Sequence, residues 1–153
     1  MNDQLSKRAV RQTLAVVFLP AFTLTAQAQM TPVGTWHSID DETRQPKAQI
    51  VINENNGTLT GRIEQLLRPG ADPKKLCDRC ADERKNQPVI GLEIIRGVRK
   101  ADGEEIWEGG KILDPENGKE YRASLTPVDG GGKLEVRGYF GPFWRTQTWV
   151  RIK

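Results

Sequence analysis

From Gly34 to Lys153 the chain is divided into eight short runs of strand character by clusters of Gly, Pro, Asn and Asp, and no apolar stripe of helical period develops anywhere along it. The runs cover residues 34–39, 48–53, 58–66, 89–98, 106–113, 120–127, 134–140 and 145–152. An open meander of that many strands would leave two sheet edges with unpaired backbone groups, and pairing the first strand with the last removes both. The expected fold is therefore all-β, a small eight-stranded antiparallel up-and-down barrel. Barrels of this size either fill themselves with side chains or hold one small ligand.

The turns support that reading. Asn56-Gly57 is a strong signal for a two-residue hairpin, and Ala101-Asp102-Gly103, Asp114-Pro115-Glu116-Asn117-Gly118, Asp129-Gly130-Gly131-Gly132 and Gly141-Pro142 are all turn-forming clusters. Alternation assigns the inner faces: Leu59, Gly61 and Ile63 share one face, as do Tyr121, Ala123 and Leu125, and Leu134, Val136, Gly138 and Phe140. The exception is residues 68–88, which carry three prolines, two cysteines and dense charge. Connections longer than about 12–15 residues are uncommon and tend to be functional. A short helix is expected there over residues 72–77.

The first 28 residues read as a cleaved leader rather than as part of the domain. Lys7, Arg8 and Arg11 precede an uncharged, mostly apolar stretch over residues 13–25, and Ala26-Gln27-Ala28 has the small-x-small form of a signal peptidase site. The apolar stretch is shorter than the roughly 20 residues of a membrane span. Cleavage leaves a single domain, residues 29–153, with no further transmembrane segment, in the periplasm or outside the cell. It also removes most of the basicity: of 23 basic and 20 acidic residues, 20 and 19 remain. With no Lys/Arg run left to grip phosphates, nucleic acid is a poor partner.

Gly34-Thr35-Trp36 resembles the Gly-x-Trp entry of lipocalins and related barrels. In that superfamily the Trp closes one barrel end and an Arg from near the last strand packs across it, which implies this role for Trp36 and Arg151, with Arg145 the second match. A longer ordered series covers nearly the whole domain: Gly61-x-Ile63, Cys77-x-x-Cys80, Gly91-Leu92, Trp107-x-Gly109-Gly110, Ile112-Leu113-Asp114-Pro115, Gly118-Lys119-x-Tyr121, Arg137-Gly138-Tyr139-x-Gly141 and Trp149-x-Arg151. It resembles the exported bacterial domain-of-unknown-function family numbered twenty-one forty-seven. That resemblance implies a lipocalin-like (calycin) barrel and an exported location, and it carries no catalytic residues.

Several groups have two readings. Cys77 and Cys80 suit a local disulfide that staples the long loop in an oxidising compartment. They also fit a redox pair, although that motif normally opens a helix in a βαβ setting, or a metal site, for which His37 is the only histidine. His37 points away from Trp36 and reads as a surface or barrel-end residue, a dyad with Asp40 or Asp41 being the sharper alternative. Asp114 and Glu116 read as turn residues before they read as an acid–base pair. Gly109 and Gly110 mark a bulge or a close approach, by a ligand or by a facing Trp.

Nowhere do a nucleophile, a base and an orienting group recur together, so no catalytic residue, metal or cofactor is assigned, and an enzyme ranks last. The leading expectation is an envelope barrel that binds a small apolar or amphipathic molecule. Ile63, Ile94, Tyr121, Leu125, Val136 and Phe140 would touch the ligand, with Tyr121 as polar handle, in a modest cavity of a few hundred Å³ at the low end for ligand pockets. The alternative is a filled barrel acting as a protein-interaction module through its stapled loop.

Overall fold

The computed structural model describes residues 30–152. The leader expected over residues 1–28 and its cleavage site lie outside the described residues. The strands are β1 (Gly34–Ile39), β2 (Pro46–Asn55), β3 (Thr58–Leu66), β4 (Glu93–Lys100), β5 (Trp107–Asp114), β6 (Lys119–Val128), β7 (Lys133–Phe140) and β8 (Phe143–Arg151). Each is antiparallel to the next, and β1 also pairs with β8, so the sheet closes into an eight-stranded barrel. A 3-10 turn, Asp129–Gly131, joins β6 to β7, and no described helix is long and apolar enough to cross a membrane.

Period-two alternation explains the faces. In β2, Ala48, Ile50 and Ile52 are buried, and in β7 Leu134 and Val136 are buried while Glu135 and Arg137 lie on the other face. Connections β1–β2, β3–β4, β5–β6 and β7–β8 gather at one end of the barrel, the mouth. The other end is closed by its own core: Trp36, Ile52, Leu59, Val98, Trp107, Leu125 and Leu134 are all buried. Fully burying each aliphatic side chain of this kind contributes about 1.5–3 kcal/mol, which makes this half the anchor of the fold.

The Arg151 guanidinium lies 4.1 Å from the centre of the Trp36 ring, and the two residues are register partners across the β1–β8 seam. Arg151 also donates to the carbonyls of Val33 (2.8 Å), Gly131 (2.5 Å) and Thr31 (2.5 Å), while Trp36 Nε1 donates to the Pro32 carbonyl at 2.8 Å. Burial lowers the Arg151 pKa from its ordinary value. Arg145, the other arginine of β8 weighed for this role, stands at the opposite end, at the mouth.

The long connection departs from expectation. Residues 72–77 form no helix. Asp72 Oδ1 accepts from the Lys74 amide at 2.8 Å and Lys75 N reaches Asp72 O at 3.1 Å, one turn and no more. The chain then runs extended, because Cys77 N bonds Gln87 O (2.8 Å), Asn86 N bonds Cys77 O (2.9 Å) and Leu76 bridges Pro88. Cross-loop pairing satisfies these backbone groups and outcompetes a helix too short to be stable alone. β4 likewise begins at Glu93 rather than at Val89. Leu92 N closes a turn onto Val89 O, while Leu92 O and Gly91 N bond Ile63 of β3, and Val89 and Leu92 are buried in the barrel core.

Cys77 and Cys80 are joined in a disulfide, and both residues are buried. A reactive pair must be reached by solvent and by substrate, so burial favours the structural reading. Arg84 pegs the loop to the barrel. Its side chain is buried and donates to Asp82 (2.5 Å), to Glu120 on β6 (2.6 Å) and to the Glu93 carbonyl (3.0 Å). Nearby, a Cβ at Gly118 would run into the Arg79 carbonyl, at a φ of 74° that side chains rarely adopt, so only glycine lets the loop lie on the β5–β6 turn. At Gly110 the close neighbour is the backbone of β4 at Arg96 and Val98, neither a ligand nor a Trp.

Candidate functional site

A cavity of about 870 Å³ opens at the mouth. Its walls carry Ile50, Ile63, Ile94, Ile112, Val136 and Trp149, and polar groups enter from Ser38, Tyr121 and Gln147. The rim is charged: Lys47, Arg68, Lys119 and Arg145 alternate with Asp114 and Glu116. An apolar interior with a few placed polar groups and a charged edge is the usual composition of a small-molecule site. The volume exceeds the modest one expected from strand length. Residues 68–72 and Lys75, from the start of the long connection, extend the wall beyond the strands.

The rim is held by ion pairs between connections. Arg68, leaving β3, pairs with Asp40 of the β1–β2 connection and with Glu116 of the β5–β6 turn (2.5 Å), and Glu116 also takes Lys47 at 2.7 Å. The Thr43 amide and then Arg68 hold the Asp40 carboxyl well below the usual carboxylate range. For Glu116 burial pushes the other way, but Lys47 and Arg68 prevail and its pKa is lowered. Arg145 pairs with Asp41, tying β8 to the same β1–β2 connection.

These partners decide the two-way readings. Asp114 Oδ1 accepts from the Glu116 amide (2.9 Å) and Oδ2 from Asn117 (3.1 Å), so it is a turn residue, while Glu116 is part of the rim. His37 sits half-buried on the outer face beside Gln49 Oε1 at 3.1 Å, and Asp40 and Asp41 are engaged with Arg68 and Arg145, so no dyad forms.

Of the six side chains expected to touch a ligand, Ile63, Ile94, Tyr121, Val136 and Phe140 line the cavity. Leu125 does not. It lies on the inner face as alternation requires, but in register with Trp107, in the filled half. Tyr121 Oη accepts from Asn117 Nδ2 at 3.0 Å, which leaves its own O–H to donate. Phe140 is in edge contact with Tyr121 and stacks on Phe143 at 5.9 Å. Sequence reasoning missed Ser38, Gln147 and the Arg68–Glu116 rim. Alternation through β8 carried the signal for Gln147, since Arg145, Gln147 and Trp149 share a face.

Comparisons with known proteins agree with this fold. Protein HP1028 from the human pathogen Helicobacter pylori, described as belonging to the lipocalin family, has a similar solved structure. The TM-score is 0.66 at 18% identity, covering 79% of this chain and 82% of that one, a likeness of fold. No curated protein matches the sequence. The family model for uncharacterized proteins conserved in bacteria, DUF2147, matches residues 34–151. Sharing that family's pattern across the whole barrel, the chain belongs to DUF2147.

Proposed function

We propose that this chain is an exported lipocalin-like barrel that binds a small apolar or amphipathic molecule in the cell envelope. The supporting observation is the cavity of about 870 Å³, open at one end, apolar in its walls and charged at its rim. Each buried CH₂ contributes about 0.8 kcal/mol, so a short acyl chain in such a space suffices for micromolar binding. Tyr121 and the rim cations would meet the polar end of an amphiphile. Export rests on the leader pattern of residues 1–28. N-terminal sequencing of envelope material should begin at Gln29, and a start at Met1 would count against it.

Gly138→Phe tests the binding. A Cβ there meets Tyr121 Cβ at 3.5 Å and Ile112 Cγ2 at 3.8 Å, ordinary contact distances, and Gly138 lines the cavity, whose volume is the space open to a larger side chain. The variant should lose binding of an apolar fluorescent probe and keep its melting temperature within a few degrees. A large fall in melting temperature, with no probe binding by the parent, would leave the lumen as core. Native mass spectrometry of protein from its own host would then identify a retained ligand.

A further inference from the structure

The β7–β8 hairpin carries its largest apolar side chains outward on both faces of its tip. Phe140, Phe143 and Trp144 are 48%, 64% and 59% exposed, while the other three tryptophans, Trp36, Trp107 and Trp149, are buried. Phe140 and Phe143 project from the inner face and stack on each other; Trp144 stands on the outer face opposite Tyr139. A hairpin apolar on both faces cannot hide its aromatics by folding either way onto the barrel. Cations back it on the outer face: Arg122 lies 5.5 Å over Tyr139 and Arg137 5.9 Å over Trp144, and neither forms an ion pair among the described residues.

Two quantities select the occupant. Aromatic side chains offer roughly 150–250 Å² each, so the tip exposes roughly 300–350 Å² of apolar surface. A stable protein interface uses about 800 Å² per partner, more than this tip presents. A strand rises about 3.4 Å per residue, which sets Arg137 about 10 Å behind Phe140. Interfacial side chains enter the headgroup–acyl boundary to about 5–10 Å, so Arg137 would stand at the level of the phosphates when the aromatics are inserted, while Arg122, in register with Tyr139 and only about 3 Å behind Phe140, would reach them with its long side chain. We propose that the β7–β8 tip docks on an anionic lipid surface, its aromatics entering the interfacial layer and Arg122 and Arg137 meeting lipid phosphates. This holds whether or not the cavity carries a ligand.

Trp144 reports its own position, because residues 1–33 contain no Trp and the other three are buried. The exported form, residues 29–153, is mixed with vesicles of phosphatidylglycerol and phosphatidylcholine in equal parts, or of phosphatidylcholine alone, with brominated acyl chains. Anionic vesicles should blue-shift and quench a component of emission that is missing in Trp144→Phe. Phe143→Ser/Trp144→Ser should weaken sedimentation with anionic vesicles at least tenfold, and Arg122→Gln/Arg137→Gln should abolish the preference for them. Unquenched Trp144 in the parent, or equal sedimentation of the Ser variant, would overturn the proposal. So would concentration-dependent self-association of the parent that the Ser variant abolishes, which would assign the tip to a second copy.

Discussion

The two ends of this barrel use arginine in opposite ways. At the closed end the half-buried Arg151 lies on the buried indole of Trp36 and donates to backbone carbonyls, groups that do not titrate. At the mouth Arg68 and Arg145 reach across connections to carboxylates at the solvent edge. The first arrangement is half-buried and joins the first strand to the last; the second lies at the solvent edge and joins loops. Stability should therefore concentrate at the closed end, and sensitivity to pH and salt at the mouth.

The sharpest way to break that contrast is Trp36→Ala. Truncating a fully buried Trp typically costs about 3–5 kcal/mol, whereas Phe143→Ser at the mouth should stay within about 0.5 kcal/mol, both read from denaturant midpoints. Equal losses would remove the distinction. Next comes Arg84→Met, which strips a buried donor from Asp82, Glu120 and the Glu93 carbonyl. About 1–3 kcal/mol should go, with the loop's amides losing exchange protection before those of the strands.

Replacing Cys77 and Cys80 with Ser should cost about 2 kcal/mol at most, because a loop so short restricts the unfolded chain little, and the circular dichroism of the barrel should persist. Loss of all structure would show the loop to be part of the core.

Acid gives the smallest and most local effect. Asp40, Asp82, Glu116 and Glu120 all have lowered pKa values, Asp82 at about 2 through Arg84. A lowered folded pKa contributes stability that is present above the unfolded value, near 4, and is lost as pH falls through the folded value. Protection should therefore fall as pH drops below about 4 in the mouth and loop, while the Ile152–Thr35 bond at the closed end keeps its own. Simultaneous loss at both ends would refute the division.

Much of the architecture was legible because its signals are local. Alternation in β7 and the Asn56-Gly57 turn act over two to four residues, and all eight strands form where runs were expected, with shifted ends. Depth along the barrel axis was not legible. Alternation assigns Leu125 to the inner face but is silent on whether that level is open or filled. The long connection was misread for the converse reason: Asp72-Pro73 has the look of a helix start, but the segment is organised by Gln87, on the far arm of the same connection, and by Glu120 on β6, beyond the reach of a local pattern. The rim escaped notice likewise, since Arg68 and Glu116 lie 48 residues apart.

Arg68 belongs to one connection and holds two others, one on each side of the mouth. A guanidinium is a flat fork of fixed span, so the three connections cannot drift outward separately; each must part from the same group. The width of the opening is in this sense one coordinate rather than three. A molecule arriving with its own anion would compete for that single hub, and its entry would be felt at once by loops on opposite sides of the entrance.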